Sequence, residues 1–148
     1  MKISAKGRYA LASMIHIAQN TEKEQHITLI SISEKLGISK LYLEQVFYLL
    51  KKGNLVNSIK GSQGGYRLYK DQKLITVYDI LFEIEHPLFE KSEKIGSDKC
   101  PEIDAALSLT VFEPIDSALK DQLIKITLYD LVIATEKHKK NDVIMYYI

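Results

Sequence analysis

Residues 31–69 read SISEKLGISKLYLEQVFYLLKKGNLVNSIKGSQGGYRLY and contain two helical patterns followed by two alternating ones. The first helical pattern covers residues 31–36, and Gly37 follows it where a helix commonly ends in the left-handed conformation. The second begins after Ser39 and runs to about residue 52. Its apolar positions form one stripe, Leu43, Val46, Phe47 and Leu50. Two helices joined by a tight turn that contains glycine predict a helix-turn-helix.

Side-chain hydroxyl groups mark the predicted helix starts, because they accept a hydrogen bond from a free backbone N–H group. Ser4 begins a helix over residues 4–19, and Ser39 begins the second helix of the helix-turn-helix. Ser31 begins the first, with Glu34 at the spacing of a capping box. The residues just before it, 27–29, favour a short extended segment.

A hairpin is predicted directly after the two helices. Residues 55–59 and 66–69 alternate between apolar and polar side chains, and a glycine-rich turn separates them at residues 60–65. A helix-turn-helix followed by a hairpin predicts a winged helix. Its second helix enters the major groove of DNA while the hairpin contacts an adjacent groove or phosphates. The predicted fold is therefore mainly α with a small β-hairpin wing.

The chain beyond the wing is predicted to be mostly helical. Residues 76–84 form a helix that residues 86–87 (His-Pro) end, and residues 88–100 form a loop. A long helical pattern covers residues 104–126. Pro114 lies inside it and should kink or restart the helix, because proline lacks a backbone N–H group.

These patterns divide the chain into three parts. Residues 1–85 form the winged helix-turn-helix, and residues 86–135 form a sensor loop with long dimerisation helices. A short helix starts at Thr127 within the second part. Residues 136–148 form a tail that is polar at first and apolar at its end.

Composition excludes several classes of protein. Of the 148 residues, 46% are hydrophobic and 26% are charged, an ordinary globular balance that argues against general disorder. The single cysteine excludes a disulfide framework and a four-cysteine zinc site within one chain. No apolar run approaches the ~20 residues of a membrane span, and the N-terminus lacks a signal-peptide pattern, so we predict a cytoplasmic protein that does not contact membranes.

The net charge of +1 hides a strong asymmetry. Residues 1–75 hold 12 Lys/Arg and 5 Asp/Glu, a net charge of +7, whereas residues 76–148 hold 8 and 14, a net charge of −6. This asymmetry favours binding of a polyanion by the first half alone. An uneven surface without such a partner is the alternative.

Six segments in chain order resemble the Rrf-two family of bacterial winged-helix transcription regulators. They are residues 2–11 (KISAKGRYAL), 37–39 with 42–45 (GIS and YLEQ), 53–58 (GNLVNS), 61 with 64–66 (G and GGY), 75–80 (ITVYDI) and 126–131 (ITLYDL). Each segment alone is weak evidence, but together they span nearly the whole chain. The resemblance implies a homodimer that binds a palindromic site in double-stranded DNA. The long helix of each subunit would pack on the other through Val111, Ile115, Ala118, Leu119 and Gln122.

The DNA-binding candidates lie at three places. On the recognition helix they are Ser39, Lys40, Tyr42, Glu44 and Gln45. On the wing they are Lys60, Gly61, Gln63, Gly64, Gly65 and Tyr66. At the start of the first helix, the candidates for phosphate contacts are Ser4, Lys6 and Arg8.

The recognition helix offers specific chemistry for reading bases. Gln45 can pair with adenine, and Glu44 can accept a hydrogen bond from the cytosine amino group. Alternatively, both are simply solvated helix positions. The family usually has arginine where this chain has Lys60, and lysine keeps the charge but loses the planar hydrogen-bonding fork.

The cofactor expectation also comes from the resemblance. Cluster-binding members of the family carry three cysteines spaced six apart, and these positions correspond to Lys94, Cys100 and Ala106. A histidine ligand of some members corresponds to Leu109. Because an iron–sulfur cluster needs about four ligands, mostly thiolates, we expect no cluster, and no metal site is predicted. Cys100 is then a redox thiol, an intersubunit link or a free cysteine without a role.

The chain ends in an apolar tetrapeptide, Met145, Tyr146, Tyr147 and Ile148. An apolar end with a free carboxylate suits capture in a pocket. The ending resembles the CymR branch of the family, which regulates cysteine metabolism and partners with cysteine synthase. The tail therefore either docks into such an enzyme or packs back on its own dimer.

The sequence thus predicts a homodimeric, cluster-free repressor of sulfur or cysteine metabolism genes. The alternatives are a redox- or iron–sulfur-responsive regulator that uses Cys100, and a protein-interaction module whose tail docks into cysteine synthase. An enzyme is not expected, because no recognisable nucleophile, metal-hydrolase or phosphate-loop motif is present.

Overall fold

The structure is a computed structural model that describes residues 2–20, 26–61, 64–94 and 99–146. Its helices are α1 (Ala5–Gln19), α2 (Leu29–Leu36), α3 (Lys40–Lys52), α4 (Val77–Ile84), α5 (His86–Phe89), α6 (Pro101–Leu107), α7 (Glu113–Ile124) and α8 (Leu128–Tyr146). The strands β1 (Val56–Ile59) and β2 (Gly65–Leu68) form an antiparallel hairpin between α3 and α4. The predicted fold class, mainly α with a small β-hairpin wing, is confirmed.

Helices α2 and α3 form the expected helix-turn-helix. Gly37 ends α2 with a φ of 66°, a left-handed conformation that glycine adopts without steric cost. The exposed hydroxyl of Ser39 accepts a hydrogen bond from the Tyr42 backbone N–H group at 3.2 Å and begins α3. Both features were predicted from the sequence.

The predicted start of α2 at Ser31 is wrong. The helix begins at Leu29, and the Thr28 hydroxyl accepts a hydrogen bond from the Ser31 N–H group at 3.1 Å. Ile27 and Tyr66 exchange two backbone hydrogen bonds of 2.8 Å each, which hold the chain extended as far as Thr28. Thr28 is therefore the last extended residue and takes the capping position, so the predicted extended segment ends there.

Helix α3 lies at the centre of the larger hydrophobic cluster. Its predicted stripe is confirmed, and the four side chains have no exposed surface, Leu43, Val46, Phe47 and Leu50. Met14 of α1, Ile32 of α2 and Ile80 of α4 belong to the same cluster. Helix α3 is thus fixed on its inner side by three neighbouring helices.

The predicted long helix is divided by a π-helical turn. Helix α6 is followed by this turn at Ser108–Phe112 and then by α7, in whose first turn Pro114 lies. Proline cannot donate a hydrogen bond to the carbonyl group four residues earlier, and the Glu113 N–H group instead reaches back to the Ser108 carbonyl oxygen. The predicted interruption of a straight helix near Pro114 is confirmed as this π-helical turn, although the helical region begins earlier than predicted, at Pro101.

Helices α4 and α8 begin side by side. At each start a threonine hydroxyl accepts from the N–H group of an aspartate, Thr76 with Asp79 at 3.1 Å and Thr127 with Asp130 at 3.0 Å. Each aspartate carboxylate accepts from the threonine N–H group at 2.9 Å. The hydrogen bonds with the Thr127 backbone and side chain lower the pKa of Asp130. Thr76 and Thr127 also form an antiparallel bridge, which ties the two helix starts together.

Two further predictions about the second half need correction. The predicted helix end is confirmed, since α4 ends at Ile84, but the predicted loop is shortened because His86–Phe89 form α5, with Pro87 in its first turn. The short helix expected at Thr127 is instead α8, which has 19 residues. Residues 136–142 contain no proline or glycine, so their charged side chains continue the helix and do not form a separate tail.

Replacing Phe47 with alanine should lower the free energy of unfolding by about 3–5 kcal/mol, because the change leaves a cavity at the centre of the core. The neighbouring Tyr48→Ala is the matched control. Its side chain is 68% exposed, so it should change stability by about 0.5 kcal/mol or less. Urea unfolding followed by circular dichroism measures both. Equal losses in the two variants would contradict the central position of α3.

Candidate DNA interface

Helix α3 presents polar side chains outside its buried stripe. Lys40, Glu44 and Gln45, three of the predicted DNA-binding residues, are exposed. Tyr42 is half-buried, and its ring packs edge-on against Tyr9 with a centroid distance of 5.3 Å. Tyr42 therefore lies at the border between the core and the exposed face.

Lys40 and Glu44 form an ion pair one helical turn apart. Their charged atoms are 3.8 Å from each other, and the two side chains are 55% and 50% exposed. Exposed pairs of this kind contribute only about 0.3–0.5 kcal/mol. Because the pair is weak, Lys40 can turn to a phosphate, and Glu44 to a base, at little cost.

A groove with a volume of about 560 Å³ lies between the first half of α3 and the wing. Lys40 and Glu44 line it from the helix, and Gly64 and Tyr66 line it from the wing. Burial and the nearby Glu44 carboxylate both raise the pKa of Tyr66. The fold thus brings together residues of α3 and the wing that lie about 20 positions apart in the sequence. Such proximity is necessary if both elements are to contact the same DNA site.

The tip of the wing is exposed. Lys60, Gly61 and Gly64 are open to solvent, and Gly61 has a φ of 150°. Gln63 lies outside the described residues. Lys60 is therefore not part of the core, and its phosphate contact stays a prediction.

The base of the wing has a structural role. Gly65 is buried, and a Cβ atom there would lie 2.6 Å from the Ile27 carbonyl oxygen, so the close approach of the Ile27 segment requires glycine. The Tyr66 ring packs on Phe47 with a centroid distance of 4.6 Å. These two predicted DNA-binding residues connect the wing to the core.

The start of α1 is fixed by a residue from the end of α4. Ser4 accepts from the Gly7 N–H group at 3.0 Å, and its hydroxyl and N–H groups both donate to the Glu85 carboxylate. A Cβ atom on Gly7 would collide with this carboxylate and with the Ile3 side chain, so a larger residue there would displace the Glu85 side chain from Ser4. Ser4 is therefore occupied by internal hydrogen bonds. Lys6 is half-buried and Arg8 is exposed at the same end of the helix.

Several surface residues of the helix-turn-helix escaped the sequence analysis. Leu41 and Tyr48 are 71% and 68% exposed on α3, and Ile30 is 55% exposed on α2. The spacing of residues 41, 45 and 48 places them on one helix face opposite the buried stripe, and this signal could have found them. No sequence signal links Glu85 to Ser4, because the two are 81 residues apart.

Four of the predicted dimer residues are exposed on the π turn and α7, Val111, Ile115, Ala118 and Gln122. Two of these apolar side chains are substantially open, Val111 at 38% and Ile115 at 60%. Leu119 is half-buried instead and packs within its own chain against Val77 and Leu81 of α4. The exposed apolar strip is thus narrower than the sequence predicted.

The positions that correspond to cluster ligands lie on the surface. Lys94, Cys100, Ala106 and Leu109 are all exposed, and Cys100 is a free thiol directly before α6. Within the described residues, no three His, Cys, Asp or Glu side chains come together in an arrangement that could hold a metal ion.

The C-terminal tetrapeptide is only partly described. Met145 is 75% exposed in the last turn of α8, which runs through Tyr146. Tyr147 and Ile148 lie outside the described residues, so docking of the tail into cysteine synthase stays a prediction. Among the helices of the described chain, none has the length and apolar character needed to cross a membrane.

Comparison with known proteins agrees with this geometry. The profile of the Rrf2 family (the Rrf-two family above), described as an iron-dependent transcriptional regulator, matches residues 3–134. The HTH-type transcriptional regulator IscR of Photorhabdus laumondii is 34% identical over 132 residues, which cover 89% of this chain and 79% of the relative.

Two solved structures share both sequence and fold with this chain. CymR (YrzC), the global cysteine regulator of B. subtilis, is 35% identical with a TM-score of 0.73, over 90% of this chain and 98% of that one. IscR of T. potens is 32% identical with a TM-score of 0.69, over 93% and 90%. These relatives are transcriptional regulators and not enzymes. With a helix-turn-helix, a wing and a match over almost its whole length, the chain belongs to the Rrf2 family of winged-helix, DNA-binding transcriptional regulators.

Proposed function

We propose that this chain is a homodimeric repressor that binds a palindromic operator, regulates sulfur or cysteine metabolism genes and carries no iron–sulfur cluster. The observation that carries the DNA-binding part is the exposed face of α3 beside the wing. Gln45 offers a bidentate amide to adenine, and Glu44 offers an acceptor to the cytosine amino group. Lys40, Lys60 and Arg8 supply phosphate contacts around them.

The regulatory part of the proposal rests on the residues at the positions that correspond to cluster ligands and on the names of the similar proteins. Cys100 is the single thiol at the four corresponding positions, so the residues present do not fit a thiolate-held cluster. The likeness to CymR, named a global cysteine regulator, supports control of cysteine metabolism. The IscR names of other relatives favour the alternative, a redox- or iron–sulfur-responsive regulator that uses Cys100.

Sequencing the genomic DNA that the purified protein retains tests this proposal. We expect a colourless protein that, with a metal chelator present, retains palindromic fragments upstream of sulfur or cysteine metabolism genes.

Binding should weaken steeply as salt rises, because counterions are released from the phosphates. Lys60→Ala should reduce the slope of log affinity against log salt by about one, whereas Lys139→Ala on α8 should not. Failure to retain DNA at low salt would overturn the DNA-binding part of the proposal. A brown protein that contains sulfide would overturn the absence of an iron–sulfur cluster.

Leu41 should contact a thymine methyl group, because its exposed side chain lies on the same face as Gln45. Replacing each operator thymine in turn with deoxyuridine removes only that methyl group. At one position per half-site we expect binding to weaken by about threefold to tenfold, the range expected for one buried methyl group. Leu41→Ala should abolish this difference, and Ile133→Ala, an exposed apolar residue of α8, is the control. An operator that tolerates uracil at every position would refute the contact.

Dimerisation through α7 rests on the exposed strip formed by Val111, Ile115 and Ala118, because monomeric proteins seldom leave such apolar groups together in water. Ala118→Glu should place a charge in the interface and yield a monomer. Ala134→Glu on α8 is a matched control, since Ala134 is also exposed. Sedimentation velocity reports the mass of each variant. A dimer that survives Ala118→Glu, or a monomeric parent protein, would contradict this interface.

A further inference from the structure

A cavity of about 590 Å³ lies between α4, α5 and α7, within the range typical of small-molecule sites. The π-helical turn contributes Ser108 and Phe112 to its wall, and such turns are frequent at functional sites. We infer that this cavity binds a small organic anion with an aromatic or other apolar body.

One wall of the cavity is aromatic. Tyr78, Phe82 and Phe89 pack on one another with centroid distances of 5.0–5.9 Å. All three line the cavity, and Phe82 remains 36% exposed. An apolar or aromatic ligand would cover these rings and release the water that now contacts them.

Three lysines line the same cavity. Lys91, Lys94 and Lys120 line it, and the Lys120 Nζ atom lies 5.3 Å from the centre of the Tyr78 ring. Glu113 and Asp116 also line it, yet in the described part of the chain no carboxylate lies within 4.0 Å of the three ammonium groups. The cavity therefore carries excess positive charge without internal ion pairs, which favours a carboxylate or a similar anion.

The cavity and the proposed dimer strip occupy different faces of α7. Residues 116, 117 and 120 line the cavity, whereas residues 115, 118 and 122 are exposed elsewhere around the helix. At about 100° per residue the centres of the two sets lie roughly half a turn apart, and Leu119, which also lines the cavity, lies between Ile115 and Asp116 around the helix. Dimerisation through the second set would leave the cavity accessible.

The cavity is also connected to the start of α1. Tyr78 and Phe82 belong to α4, whose Leu81 packs within the cluster that includes Ile3, and Glu85 directly after α4 holds Ser4. A ligand that shifts α4 would therefore move the region of Lys6 and Arg8. This coupling to DNA affinity rests on the proposed function, whereas binding of the anion does not.

NMR titration of the full chain with 3-phenylpropanoate tests the site, with the neutral 3-phenylpropanol as the matched ligand. We expect the carboxylate to shift the amide signals of residues that line the cavity and to bind about tenfold more tightly than the alcohol, as one charge-assisted hydrogen bond implies. Lys120→Met should remove this preference, and Lys125→Met, outside the cavity, should keep it. Lys91→Met is a second variant in case Lys120→Met does not fold, which the dispersion of the amide signals reveals.

Equal binding of the two ligands, or signal shifts outside the cavity alone, would overturn the site. The same carboxylate should change the affinity of the parent protein for its operator but not that of Lys120→Met, because coupling between two sites is reciprocal. Anion binding with unchanged DNA affinity would keep the site and refute the coupling. A protein that binds the anion but no DNA would refute the proposed function and leave the site standing.

Discussion

Burial of one side of α3 is the constraint on which the rest of the structure depends. Leu43, Val46, Phe47 and Leu50 are completely enclosed, and burying side chains of this size contributes about 1.5–3 kcal/mol each. Because these four side chains leave α3 no freedom to rotate, the face that carries Glu44 and Gln45 must point outward. The core thereby orients the residues proposed to read DNA, although none of the enclosed side chains lies on that exposed face.

Helix α4 is the second organising element, since it is connected to both proposed binding regions. Its Thr76 end is bridged to Thr127 at the start of α8, and Glu85 just beyond its other end holds Ser4 at the start of α1. Tyr78 and Phe82 between these ends line the cavity beside α7. A single short helix thus joins the chain's second half to the surface where Arg8 is exposed.

Local signals were sufficient for the features that depend on neighbouring residues. The left-handed Gly37, the Ser39 cap and the interruption of the helix near Pro114 follow from steric limits and hydrogen bonding over a few positions. The start of α2 could not be found in this way, because Thr28 caps it only when Ile27 is paired with Tyr66 across the wing. Similarly, the length of α8 was underestimated, since exposed charges are compatible with either a solvated helix or a loop.

The amino-acid pattern alone was enough to establish the winged helix-turn-helix and the buried stripe of its second helix. Apolar periodicity and turn chemistry involve residues that are close together in the chain, so they can be identified from the sequence. The pairing of Glu85 with Ser4, the inward place of Leu119 and the aromatic cavity with its three lysines emerged from the folded molecule. Each depends on contacts between distant segments, and such contacts are set by packing in three dimensions.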